Sequence, residues 1–304
     1  MKNEIRKLYQ IDVNGIVKIN DKCYKILSKE SDFLLKKVDN LKLESNYIRL
    51  ELSRISFFNL PIKSVNDRYI EEINHQYYIL NYFYKDDVSF YEDKRMSFYI
   101  KGISYLHQNT TLPLKVNDGY FNESLDYLNT QIEEVKKQID MRMFNIERMD
   151  YHSPSEWYFI SSYHLFNNAI ETSKKYLELL KEEFESLQSI ELSLTYQNYA
   201  KEHILLKEEK IISLEKMAYA PVIYDLTDFV EKNYNQNLDI SMYIKSYFTL
   251  NPLNLYYKYW LLALLYIPKI EKISDDLKDI ESIYLSLNYL KTVDIIKSNL
   301  LQTE

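Results

Sequence analysis

Over the first ninety residues the apolar positions fall in short blocks; after that they settle into a helical period. Tyr24-Lys25-Ile26-Leu27 and Phe33-Leu34-Leu35-Lys36-Lys37-Val38 are strand-like runs separated by polar, turn-like residues at 28–32, which predicts a hairpin. A helical stretch follows at about 41–57 and ends before Pro61. Residues 69–73 and 77–84 predict a second strand pair, joined at Asn74-His75-Gln76. This part is expected to be strand-rich with one helix.

From Asp93 onward the spacing changes. Met96, Ile100, Ile103 and Leu106 mark one amphipathic helix. Leu128, Ile132, Val135, Ile139, Met143 and Ile146 mark a second. Phe166, Ile170, Leu177, Leu180, Phe184 and Leu187 mark a third, with Ser173 in its one polar slot. Steps of three and four keep each set on one stripe, and burial of the stripes drives the helices together. Between 189 and 226 short extended runs return, punctuated by Ala220-Pro221, and helices are expected at 239–250, 252–266 and 274–300. The reading is an α+β fold with a small β-rich N-terminal lobe at 1–84 and a large helical C-terminal lobe at 85–304. An inserted helical segment is expected at about 120–150. Periodicity alone leaves other α+β arrangements open.

Composition narrows the function classes. The 304 residues are 46% hydrophobic and 27% charged, which suits a globular chain with a sizeable core. A net charge of −7 gives no electrostatic reason to expect nucleic acid as a partner. Cys23 is the only cysteine, so no internal disulfide forms and a zinc framework is absent. The most apolar stretch, 260–267, is too short to span a bilayer, and the first residues carry no secretory h-region. A soluble cytoplasmic protein is expected. There are 30 tyrosines but only 3 glycines. AT-rich codons account for the tyrosines. The glycines matter more, because loops that cradle phosphate need backbone able to approach a ligand closely.

The five histidines, His75, His107, His152, His164 and His203, form no i, i+4 metal pair. His152-Ser153 lacks the Gly-x-Ser-x-Gly setting of a hydrolase elbow. His107 reads as a structural residue near a helix end, and Tyr256-Tyr257-x-Tyr259-Trp260 reads as core.

The stretch 193–230, SLTYQNYAKEHILLKEEKIISLEKMAYAPVIYDLTDFV, carries the chemistry that can be read. It resembles the catalytic stretch of the aminoglycoside phosphotransferase and choline kinase group, which implies a two-lobed protein-kinase-like fold. In that group a His-Gly-Asp run is followed, five residues after the Asp, by Asn-Ile-Leu. A strand ending in Asp-Phe-Asp/Glu and a Pro-x-x-Tyr-Asp-Leu run come next, the last Asp twelve residues after the metal-binding one. Here Pro221, Tyr224, Asp225 and Leu226 match the last run. Twelve residues before Asp225 stands Ser213, at the metal-binding position. His203 stands where the Asn belongs, Asn198 at the catalytic Asp, and Tyr196-Gln197 replaces His-Gly. Upstream, Lys36 resembles the ATP-contacting lysine, with Glu44 or Glu51 as its helix partner. Residues 77–83, including Leu80 and Tyr82, resemble the adenine strand and hinge. Residues 103–107 resemble the first helix of the large lobe. The glycine-free run at 26–30 is expected to stand where the phosphate-covering loop lies.

Within the group, the inserted helical segment and the pattern Tyr247-x-x-x-x-Pro252-Leu253 followed by Ile267-Pro268 resemble the spore-coat kinase-like proteins of endospore-forming Firmicutes, the CotS and YutH type. Those resemblances imply a pseudokinase without cofactor, acting on other proteins, among them spore-coat components. An amide has no useful proton affinity near neutral pH, and Mg²⁺ prefers anionic oxygen to a hydroxyl or an imidazole. The alternative is a divergent small-molecule kinase that places Lys36 on ATP and Glu215, or else Glu202, on magnesium. Asp225, with Tyr224 and Pro221, is expected to brace the large lobe.

Overall fold

The computed structural model describes residues 1–84, 91–115, 118–235 and 238–301. The chain forms two compact units, Met1–Thr111 with Ser193–Ala220, and Leu112–Leu192 with Pro221–Glu304. The expected boundary at 84/85 abuts residues 85–90, which lie outside the described residues.

The first unit is built on a five-stranded antiparallel sheet. Its strands are β1 (Val13–Lys18), β2 (Cys23–Ser28), β3 (Phe33–Lys37), β4 (Ile70–Ile73) and β5 (Gln76–Tyr82), in the order β1-β2-β3-β5-β4. Helix α1 (Lys2–Tyr9) buries Ile5 and Tyr9 with Val13, Ile26, Leu35, Ile73 and Leu80, so the first core forms from both sequence ends of the sheet. Neither α1 nor β1 was expected. The helix is two turns long, and the strand has a single buried residue, Val13, with a register shift between Val13 and Gly15.

That strand corrects the expected loop. The first hairpin is β1–β2, and its turn is Ile19-Asn20-Asp21-Lys22. The amides of Ile19 and Asn20 donate to the Cys23 carbonyl, and Asn20 Oδ1 accepts from Lys22 N. Residues 26–30 instead finish β2 and enter the second hairpin, β2–β3, in which Ile26 faces Phe33 and Cys23 faces Lys36. The expected pair β4–β5 is present. Asn74 and His75 lie at its turn with φ of 51° and 59°, the two positive values that a type I′ hairpin turn requires.

Helix α2 (Leu43–Leu52) ends five residues before the expected stop. Arg54 turns left-handed at φ 51°, and the chain beyond it is needed elsewhere. Ile211 N donates to the Phe57 carbonyl at 2.7 Å, and Asn59 N donates to the Ile211 carbonyl at 2.8 Å. Helix α3 (Glu92–Thr110) buries Met96, Ile100, Ile103 and Leu106 as its period requires. Gly102 admits Ile211 against the helix; a Cβ there would sit 2.7 Å from Ile211 Cδ1.

The second unit is mostly helical. Helix α4 (Asp118–Glu147) buries Leu128, Ile132, Ile139 and Ile146; α5 (Pro154–Ser186) buries Phe166, Ile170, Leu177, Leu180 and Phe184. Ser153 and Glu156 close a capping box at the start of α5. The polar slot at Ser173 has a specific partner, since its hydroxyl donates to the Ala263 carbonyl at 2.6 Å. Helices α6 (Ile223–Asn233), α7 (Ile240–Leu250), α8 (Leu255–Leu265) and α9 (Asp276–Leu301) complete it. Helix α6 starts inside the stretch expected to be extended, because Tyr224 N and Asp225 N bond back to Pro221 and Val222 and set the first turn. The short strand β6 (Leu112–Lys115), also unexpected, pairs antiparallel with residues 189–192 of β7 (Ser189–Thr195). Tyr256, Tyr257 and Trp260 are buried, as core residues. Among the described residues no helix is long and apolar enough to cross a membrane.

A left-handed His75 carries a conformational cost of about 1 kcal/mol that glycine does not. His75→Gly is therefore expected to raise unfolding free energy by up to about 1 kcal/mol, measured by urea titration.

Candidate functional site

The last three residues of β7 pair with β10 (Ala218–Ala220), and the chain between them loops through β8 (Ile204–Leu205) and β9 (Lys210–Ile211). This loop carries every replaced position. Gln197 keeps a left-handed φ of 51° at the place where the resembled His-Gly-Asp run has its glycine, a conformation that glycine adopts without penalty. Ser213 is left-handed too, at φ 63°.

The structure draws Tyr196, Asn198, His203 and Ser213 into one hydrogen-bonded set. Asn198 Nδ2 donates to the Ser213 carbonyl at 2.9 Å. His203 Nδ1 lies 2.8 Å from the Asn198 carbonyl, which can only accept, so Nδ1 carries the proton and Nε2 keeps the lone pair of the neutral ring. The Tyr196 hydroxyl lies 3.0 Å from the same Nδ1 and donates to the Ile212 carbonyl at 2.6 Å. Tyr196 is fully buried among Phe58, Tyr99 and His203. Burial lowers the His203 pKa from its ordinary 6.5 and the charge of Lys36 lowers it further, against the Asn198 carbonyl, Glu215 and Glu202, which raise it. Around this set, buried Arg95 donates from Nη1 to the Ile204 carbonyl, and Lys201 pairs with Glu92 at the start of α3.

Lys36, on β3, does not take its partner from α2. Its ammonium lies 2.8 Å from Glu215 Oε1, and both side chains are mostly covered. Glu44 accepts from the amides of Tyr69 and Ile70 at 2.9 and 2.8 Å, which fixes the start of β4. Glu51 pairs with Lys63 at 2.9 Å. Neither expected glutamate is therefore the partner of Lys36. The loop bearing Glu215 is fastened to α2, because Asn46 Nδ2 donates to the Met217 carbonyl at 2.8 Å. Burial and the charges of Glu215 and Glu44 keep the Tyr47 phenol protonated. Leu80 is buried in β5, Tyr82 is exposed at its end, and Glu202 is exposed beside His203.

Pro221, Tyr224 and Asp225 belong to the other unit. Asp225 is buried in the first turn of α6, and Tyr224 meets Trp260 edge-on, with burial pushing its phenol up to about 12. Burial together with the charge of Asp225 raises the pKa of Tyr247 well above its ordinary value.

No protein-family model matches the sequence, and no curated protein matches it. Solved structures do match. The aminoglycoside phosphotransferase from Alicyclobacillus acidocaldarius subsp. acidocaldarius DSM 446 superposes with a TM-score of 0.69 at 9% identity, over 99% of this chain and 96% of that one. Spectinomycin phosphotransferase APH(9)-Ia, solved with bound AMP, gives 0.55 at 16% identity over 97% and 96%. The same enzyme with ADP and spectinomycin gives 0.53 at 14% over 98% and 97%. The α+β fold, with its small antiparallel sheet and helical C-terminal part, is thus the fold of these phosphotransferases.

Phosphoryl transfer in kinases draws on Mg²⁺, which seeks anionic oxygen. The residues of this loop that resemble such positions, Asn198, His203 and Ser213, offer an amide, an imidazole and a hydroxyl, and the Glu215 carboxylate is held by Lys36. That donor set does not fit magnesium. Among the described residues no three His, Cys, Asp or Glu side chains converge on a metal position.

Two measurements probe the site. Lys36→Met and Glu215→Gln in a double-mutant cycle are expected to show a coupling of about 1 kcal/mol, reduced in 1 M salt. Because the folded His203 pKa lies below the unfolded value, the unfolded chain binds the extra proton. Stability is then full above about pH 6.5 and falls as pH drops through that value toward the lowered folded one. His203→Gln is expected to remove this component. The wild-type minus variant difference in unfolding free energy should shrink between pH 7.5 and pH 5.

Proposed function

We propose that this protein is a pseudokinase, a phosphotransferase-like fold that acts by contact with other proteins instead of transferring phosphate. The observation that carries the reading is the Lys36–Glu215 ion pair. It occupies the lysine that resembles the ATP-contacting one and the first of the two loop carboxylates suited to a metal. Asn198, at the general-base position, uses its amide to hold the Ser213 carbonyl. Loss of a general base costs about 10²–10⁴ in rate, and loss of the metal removes electrostatic stabilisation besides. The likeness of residues 247–268 to the spore-coat kinase-like group supports a place among coat proteins of a spore, reached from the cytoplasm.

The second reading, a divergent small-molecule kinase using ATP and Mg²⁺, draws on the phosphotransferase fold and on the position of Lys36. A thermal melt of the full chain with millimolar ATP and Mg²⁺ separates the two. No shift is expected. A ligand present at 100 times its Kd would add about 2.7 kcal/mol and raise Tm by several degrees. A magnesium-dependent rise, with labelled phosphate passed to an amine or a sugar alcohol and lost in Lys36→Met, would overturn the pseudokinase reading.

A further inference from the structure

Helix α4 carries a second pattern on the face turned away from its core. Leu128, Ile132, Ile139 and Ile146 are buried and hold it to the helical unit. On the opposite side run Glu123, Tyr127, Thr130, Glu134, Lys137, Met141, Phe144 and, in the turn after the helix, Arg148. All eight are exposed, and their spacing alternates between four and three residues without a break. That is the heptad spacing of a helix that packs lengthwise along another. Tyr127 is 61% exposed, Met141 54% and Phe144 55%. Scattered exposed apolar residues need no explanation, but an aligned set with two aromatic rings and a methionine has the composition of a contact surface.

The order of residues along this stripe is complementary to its own reverse. A two-fold axis crossing α4 between Val135 and Lys136 would set a second copy antiparallel to the first. Glu123 then meets the copy's Arg148, Tyr127 meets Phe144, Thr130 meets Met141, and Glu134 meets Lys137. Every charge on the stripe faces its opposite, and each ring faces a ring. The axis makes each contact occur twice, as an isologous interface requires. The charges are also available. Glu133 and Lys136, beside the stripe, are answered from α5 by Lys174 at 2.5 Å and Glu171 at 3.5 Å. Among the described residues no ion pair engages Glu123, Glu134, Lys137 or Arg148. The Arg148 guanidinium lies over the Phe144 ring, 5.2 Å from the centroid, which keeps it on the stripe. One flank opposes the pairing, because Asp126 comes beside the copy's Glu147; both are exposed, and charge pairs at a solvated rim weigh little. Glu133 and Asp140, next along that flank, are engaged by Lys174 and the Tyr163 hydroxyl.

We propose that the outer face of α4 is a homodimer interface, in which two copies of this chain pair antiparallel with Glu134 and Lys137 at the centre and Tyr127 and Phe144 on either side. The interface goes beyond the pseudokinase reading and holds whether or not the chain transfers phosphate. A protein that acts by contact would thereby present each of its other surfaces twice, which raises its avidity for an array of partners.

Sedimentation velocity of the full chain over a range of concentrations from about 1 to about 200 µM tests this. The mass is expected to rise from that of one chain to that of two and to stop there. Glu134→Lys and Lys137→Glu each set like charges across the two central contacts and should weaken self-association at least about tenfold. Mixing these two variants restores opposite charges at both contacts, so the mixture should dimerise about as tightly as the wild type. The double variant Glu134→Lys/Lys137→Glu should do the same. All these positions are exposed, so far-UV circular dichroism is expected to stay wild-type. Four results would overturn the proposal. The chain stays monomeric at every concentration; its mass grows beyond two chains; the single variants dimerise as readily as the wild type, which places the contact elsewhere; or they remain monomeric when mixed, which means that the two charges do not face each other across a two-fold axis.

Discussion

An ammonium and a carboxylate in contact, mostly covered from water, set the character of the phosphotransferase-like unit. At an effective dielectric near 20, opposite charges 4 Å apart attract by about 4 kcal/mol before desolvation and side-chain entropy are set against the gain. Lys36 and Glu215 are closer than that. A nucleotide phosphate that sought Lys36 would have to displace Glu215, and the carboxylate left behind would then be short of a cation. A metal that sought Glu215 would strand Lys36 in the same way. Each charge is the other's occupant. The loop carrying Glu215 is also tied to α2 through Asn46 and to the neighbouring strand loop through Asn198, so the pair is not easily opened by local motion.

The rest of the loop follows the same electrostatic logic with neutral groups. Tyr196, Asn198 and His203 use hydroxyl, amide and imidazole to satisfy the carbonyls of Ile212, Ser213 and Asn198. The backbone still takes the left-handed turns at Gln197 and Ser213 that its path demands, although neither residue is glycine. Such conformations cost of order 1–3 kcal/mol and persist only where the surroundings over-determine them. Here the surroundings are Tyr99 and Arg95 of α3 and Ile211 packed against that helix at Gly102. A fold can keep its architecture on packing and hydrogen bonds without any particular chemistry.

The parts of this fold legible from sequence are those with a clean period. The β2–β3 and β4–β5 hairpins show apolar runs bounded by polar turns, and α3, α4 and α5 show stripes in steps of three and four, with Ser173 as the one polar slot. What escaped lacked such a signal. Strand β1 is an exposed edge, α1 is two turns long, and β6 is four exposed residues. Helix α6 follows a proline that also suited an extended reading. The stop of α2 was missed because residues 57–59 are bonded to Ile211, far along the chain. Among the site residues, the spacing behind Asp225 singled out Asn198, His203 and Ser213, which the structure brings together on one loop, and Lys36 and Glu215 were both named. Their mutual pairing was not visible, since Glu44 and Glu51 stood nearer in sequence and their own tasks, capping β4 and holding Lys63, are tertiary.

Arg142 shows a different limit. It sits three residues after Ile139 and four before Ile146, on the apolar stripe of α4, where a long charged side chain would ordinarily snorkel to water. It does not, because Asp279 meets it from the first turn of α9. Breaking such a buried pair typically costs about 3–5 kcal/mol, whereas a well-packed apolar pair in its place is often neutral or stabilising. Stability alone is therefore a weak reason to keep an arginine there.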